Sequence, residues 1–136
     1  MITSLPADPA SPLTRTVTVG DVMSRAVVAA YPAAGIEDVA HALERNRIDA
    51  VPVIDDSRHV VGVVAVVDLL DRAAPPGATA RDLMTAPAVT ATADTPVGHA
   101  RALMAQLRIR SMPVVDRDGT LAGMVARSDL LPAYLS

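Results

Sequence analysis

The chain has 136 residues, a formal net charge of −3 and 51% apolar residues, yet its only aromatic side chains are two tyrosines. A weakly acidic balance without stacking aromatics argues against a nucleic-acid partner, and the absence of cysteine excludes disulfides, thiolate catalysis and cysteine-based metal sites while fitting a reducing cytoplasm. The longest apolar run, residues 60–67, is too short to span a bilayer, and no basic region followed by an apolar run marks a signal peptide.

Residues 1–16 carry Pro6, Pro9 and Pro12 among Ser, Thr and Ala, a composition that predicts a flexible leader. A short helical turn follows around Asp21-Val22-Met23, and the apolar residues 26–30 suit a strand. Ile36, Val39, Ala40 and Leu43 recur at helical spacing, which predicts a helix over 35–46. Two apolar strands come next, 48–54 and 60–64, separated by Asp55-Asp56-Ser57-Arg58. A further helix is expected over 67–73, with Asp68 in its first turn. Ala74-Pro75-Pro76-Gly77 breaks the chain as a linker over 74–78.

The pattern then restarts. Asp82-Leu83-Met84 repeats the short helix and residues 88–91 the strand. Asp94-Thr95-Pro96 opens a helix with the proline near its first position, and Val97, Ala100, Leu103, Met104 and Leu107 form its apolar stripe. A hairpin turning at Arg117-Asp118-Gly119 and a helix over 127–134 close the chain. At an offset of 61 the two halves align without a gap, and 16 of the 53 pairs from residue 18 to residue 70 are identical. A gapless match of that density marks a repeat, here 17–73 and 79–136. Two β-α-β-β-α units would pack about a pseudo-twofold axis as an α/β (α+β) fold, so each cleft on one side has a counterpart on the other.

Three motifs, in order and twice, carry a resemblance to the CBS domain, and the pair resembles a Bateman module. They are Asp-hydrophobic-Met at Asp21–Met23 and Asp82–Met84, the hydrophobic-Pro-Val-hydrophobic-Asp runs ending at Asp55 and Asp116, and Gly-x-x-x-x-x-Asp at Gly62–Asp68 and Gly123–Asp129. The resemblance spans nearly the whole chain after the leader. It implies a homodimerising regulatory module that senses AMP, ADP, ATP or S-adenosylmethionine and requires no cofactor. With no room for an output domain, the signal would pass in trans to an effector protein that the sequence does not identify.

The same resemblance makes Asp68 and Asp129 acceptors for ribose hydroxyls, a task that suits a carboxylate. By the pseudo-twofold, the end of repeat 2 should face the front of repeat 1. That cleft is expected to join Ser128 and Asp129 to Val27, Val28, Ile48, Asp49, Ala50 and Met124, with Arg110 for a phosphate, and to be the better nucleotide site. The opposite cleft should hold Ala88, Val89, Ile109, Ser111, Val63 and Asp68. There Asp49 would stand in place of Arg110, so it is expected to be weak, empty or suited to an uncharged adenosine-like group, although Arg110 could reach across. Simple capping of the following helix is the competing reading for both aspartates. Ala65 and Ala126 stand where the family often has Ser or Thr, which removes one hydroxyl from each cleft; a hydrogen bond of that kind contributes about 0.5–1.5 kcal/mol.

His41, His59 and His99 lack the spacing of a shared metal site, and Ser24, Ser57, Ser111 and Ser128 have no His and Asp partners placed by motif, so neither a metal nor an enzyme activity is expected. Arg45, Arg47, Arg101 and Arg108 read as solvated helix ends. The second functional reading is a ligand-free dimerisation scaffold for a partner protein.

Overall fold

The computed structural model describes residues 16–131. Its elements follow the duplication: α1 (Val19–Val22), α2 (Ile36–Asn46), β1 (Ala50–Ile54), β2 (Val60–Ala65) and α3 (Val66–Asp71), then α4 (Ala80–Leu83), α5 (Val97–Leu107), β3 (Ser111–Val115), β4 (Leu121–Ala126) and α6 (Arg127–Leu130). Each repeat contributes one antiparallel hairpin, β1–β2 or β3–β4. Both hairpins carry a register shift at the same place, between Val53 and Ile54 and between Val114 and Val115.

The leader lies outside the described residues but for Thr16, as does the expected last helix beyond residue 131. Two expectations need correction. Residues 26–30 and 88–91 are not strands. Each touches its hairpin through a single parallel bridge, Ala30 to Val53 and Ala91 to Val114. The Ala30 N–H donates to the Pro52 carbonyl at 2.9 Å and the Ile54 N–H to the Ala30 carbonyl at 2.8 Å. The ladder stops there because Pro52 and Pro113 have no N–H to extend it. Pro96 is the N-cap of α5 rather than its first helical residue, with φ −61° and ψ 140°.

Both long helices end on an arginine in the left-handed region, Arg47 at φ 53° and Arg108 at φ 56°. The next N–H reaches back five residues, Ile48 to Leu43 at 3.1 Å and Ile109 to Met104 at 3.0 Å. This is the Schellman closure that glycine usually provides.

The core is divided in a way the repeats do not suggest. Val19 of α1 is fully buried against Ala91, Val97, Ala100, Met104, Met112, Val114, Val125 and Leu130, all of repeat 2. Ala80 of α4 is fully buried with Val39, Leu43, Val51, Val53 and Val64 of repeat 1. Backbone hydrogen bonds fix the exchange: the Val19 and Gly20 N–H groups donate to the Thr95 and Ala93 carbonyls, both at 2.8 Å, and those of Ala80 and Arg81 to Ala34 and Pro32 at 2.9 and 3.0 Å. Each repeat thus lends its first helix to the other's core.

The hairpin tips also meet. The Val60 N–H donates to the Gly119 carbonyl at 3.1 Å and the Leu121 N–H to the Arg58 carbonyl at 2.9 Å. In the second tip, Thr120 Oγ1–H donates to Asp118 Oδ1 at 2.6 Å and the Thr120 N–H to the same oxygen at 3.2 Å. The hydroxyl is the larger cause and, with the amide, holds the Asp118 carboxyl below its ordinary value. A depressed folded-state value means that the stabilisation is present above the unfolded carboxylate value and is lost as pH falls through the folded one. Replacing Thr120 with valine should therefore move the Asp118 titration midpoint upward, read by carboxyl carbon NMR; an unmoved midpoint would refute the assignment.

Candidate functional site

Two clefts of similar size lie between the repeats, one about 400 Å³ and the other about 390 Å³. Each is built from the end of one repeat and the front of the other. The repeats are held close there by paired backbone bonds. Ser24 and Met124 exchange N–H···O bonds, both at 2.9 Å, and Val63 and Thr85 do so at 3.1 and 2.8 Å. Close approach needs Gly62 and Gly123. A Cβ on Gly123 would lie 2.7 Å from the Ser24 carbonyl oxygen, and one on Gly62 would lie 2.6 Å from Met84 Sδ.

The first cleft joins Val63, Ala65, Val66, Val67, Asp68 and Leu70 to Thr85, Ala88, Val89, Arg108, Ile109, Arg110 and Ser111. Its walls are aliphatic. Val67 and Leu70 stand at its rim 60% and 77% exposed, a local apolar excess that a flat, weakly polar ligand face would cover. The second cleft joins Ser24, Ala26, Val27, Val28, Asn46, Arg47 and Ile48 to Met124, Ala126, Ser128 and Asp129, and is more polar in its side chains. Asp49, Ala50 and Ser111 line both clefts and form the wall between them.

The structure therefore brings Val27, Val28, Ile48, Asp49, Ala50, Met124, Ser128 and Asp129 together, and likewise Ala88, Val89, Ile109, Ser111, Val63 and Asp68. Arg110 is the correction. It lines the Asp68 cleft, not the Asp129 cleft. It follows Arg108 and Ile109 at the front of repeat 2, and that front closes on the end of repeat 1. Its carbonyl is pinned by the Arg127 N–H at 2.8 Å, as that of its repeat-1 equivalent Asp49 is by the Val66 N–H at 2.8 Å. The charge contrast is thus the reverse of the expected one: two arginines face Asp49 and Asp68 in the first cleft, and Arg47 alone faces Asp49 and Asp129 in the second.

Capping and cleft lining coincide in the two aspartates. Asp68 Oδ2 accepts the Ala65 N–H and Asp129 Oδ2 the Ala126 N–H, both at 2.8 Å. Among the described residues Oδ1 of each accepts no hydrogen bond, so one oxygen fixes the carboxylate while the other is available in the cleft. Sequence reasoning missed Arg108, Arg47, Thr85 and Ser24. The shared Arg-Ile step at 47–48 and 108–109 and the Met-Ser and Met-Thr steps at 23–24 and 84–85 were the signals. A non-glycine residue held in the left-handed region at a cleft mouth, in both repeats, is strain of the kind that concentrates at binding sites. Among the described residues no three His, Asp or Glu side chains group as a metal site, and no helix is long and apolar enough to cross a membrane.

Such a molecule, two interlocked repeats with a cleft on either side, belongs to the class of paired-repeat modules. The chain is a member of the CBS domain family, whose sequence profile matches residues 19–74 and 80–136. It is 30% identical over 122 residues to the uncharacterized protein MK0525 of Methanopyrus kandleri, covering 86% of this chain and 62% of that one. It is 29% identical over 120 residues to the L-aspartate semialdehyde sulfurtransferase of Methanocaldococcus jannaschii, of which it spans 23%. Among solved structures it resembles CBSX2 in complex with AMP, with 30% identity, TM-score 0.79 and coverage of 87% of this chain and 96% of that one; CBSX2 is a CBS-pair protein of Arabidopsis thaliana. It also resembles the CBS domain pair of protein MJ0100 in complex with 5′-methylthioadenosine and S-adenosyl-L-methionine, with 27% identity, TM-score 0.81 and coverage of 88% and 97%.

Proposed function

We propose that this chain is a regulatory sensor that binds an adenine nucleotide in the Asp68 cleft. The observation that carries this reading is the convergence of Arg108, Arg110 and Asp68 on one aliphatic slot. A carboxylate accepts two vicinal hydroxyls and a guanidinium fork matches a phosphate, while Val63, Ala88, Val89 and Ile109 suit a base. The Asp129 cleft, with one arginine against two aspartates, suits an uncharged or cationic adenosyl group. The AMP of CBSX2 and the S-adenosyl-L-methionine of the MJ0100 pair support both ligand classes. Bound ligand would bias the arrangement of the two repeats or of a homodimer, to be read by an effector in trans; it can do so only by differential affinity for the two states. No reaction is assigned, and the lack of cysteine fits a reducing cytoplasm.

Calorimetric titration with AMP tests the site. Asp68→Asn, which keeps an acceptor for the Ala65 N–H, should weaken AMP by about tenfold or more, the loss of a charge-assisted bond. Asp129→Asn should leave it within about twofold. Undiminished AMP binding by Asp68→Asn would overturn the assignment. The scaffold reading draws on Ala65 and Ala126, which line the two clefts without a hydroxyl; light scattering that ignores AMP would favour it.

A further inference from the structure

The Asp68 cleft does not end at its arginines. Arg108 and Arg110 also line a neighbouring groove of about 640 Å³ between α5 and α6, whose other cations are Arg101 and Arg127 and whose floor is Met104 and Leu130. Building on the nucleotide reading above, we propose that this groove is a distal phosphate subsite and that the preferred ligand of the Asp68 cleft is a nucleoside di- or triphosphate rather than a monophosphate.

Four observations converge on it. Arg101 lies within α5 and Arg108 just past its end, in the left-handed cap, about 10 Å apart along the helix axis; that span suits a chain of phosphates. Arg127 is fixed beside Arg110 by its N–H donating to the Arg110 carbonyl at 2.8 Å. The groove has no acidic side chain in its lining, and among the described residues none of the four arginines is ion-paired. Four cations along a groove whose own lining holds no carboxylate form a field that a polyanion relieves. Lastly, the groove is particular to one side of the molecule. The repeat-1 positions equivalent to Arg101, Arg108, Arg110 and Arg127 are Ala40, Arg47, Asp49 and Val66, so the duplicated fold did not require it.

The test is calorimetric titration of the full chain and of the double variant Arg101→Gln/Arg127→Gln with AMP, ADP, ATP and inorganic tripolyphosphate. All four arginines are exposed, and an unchanged thermal midpoint will show that the variant folds. ATP should bind the parent about tenfold or more tighter than AMP, in line with one or two charge-assisted bonds. In the double variant AMP should be unchanged within about twofold and ATP should fall to the AMP level. An ATP advantage that is missing in the parent, or that survives the double substitution, overturns the subsite. If none of AMP, ADP and ATP binds the parent, the nucleotide reading fails by itself, and tripolyphosphate then decides the groove: binding lost in the double variant supports an anion site, and no binding to the parent overturns it.

Discussion

Replacing Val19 with aspartate should cost at least about 3 kcal/mol, because it places a carboxylate without a partner in a fully buried position. Against a total stability on the order of 5–15 kcal/mol, that lowers the thermal midpoint by about 10 °C or more. The location of the damage matters more than its size. Val19 belongs to the first helix of repeat 1, yet it is buried with Val97, Met104, Met112 and Val125 of repeat 2. Hydrogen exchange should therefore show β3 and β4 losing protection first, and the methyl signals of Met104 and Met112 should shift while those of Val39 and Leu43 hold. Val19→Ala is the milder control, at roughly 2 kcal/mol. A variant whose first losses fall on β1 and β2 would contradict the exchange of first helices.

Gly123→Ala should be the next most damaging change, at about 1–3 kcal/mol of overpacking. The new methyl would meet the Ser24 carbonyl oxygen at 2.7 Å and Met23 Sδ at 2.9 Å. The thioether can turn away. The carbonyl cannot, since it accepts the Met124 N–H at 2.9 Å. Relief must come from parting the repeats at a point where Ser24 and Met124 both line the Asp129 cleft, so any adenosyl ligand of that cleft should weaken along with stability. Gly62→Ala provides the comparison. Its short contacts, 2.6 and 3.0 Å, are to the flexible Met84 side chain, and its backbone contact with the Thr85 oxygen is longer, at 3.0 Å. It should cost less than Gly123→Ala in a paired thermal melt; equal or larger loss would show that backbone rigidity is not the deciding factor.

Most of the architecture was legible because it is written in local signals. The hairpins show as apolar runs around polar turns, α2 as a 3.6-residue period, and the duplication as a gapless register. What was not legible depends on partners far along the chain. Residues 26–30 are as apolar as a strand, but whether they form one is decided by the missing N–H of Pro52. The motif Asp21-Val22-Met23 reads the same whichever core it serves, so the exchange of α1 and α4 had no linear signature. Arg110 and Asp49 were correctly seen as equivalents of opposite charge. Which cleft each lines has no linear signature, because both residues sit near the wall that divides the two sites and the path into β3 decides which side the arginine faces.

The exchange of α1 and α4 also bears on ancestry. A chain carrying one repeat alone would own a hairpin and a long helix with an unfilled slot, and a short helix with nowhere of its own to dock. Two such chains would complete each other as a symmetric homodimer, each lending what the other lacks. Joining them in tandem needs little more than the Pro-Pro-Gly segment, and it frees each copy to diverge. Asp49 against Arg110 and Ala40 against Arg101 are such differences: equivalent positions of the two copies carry unlike charge within one polypeptide.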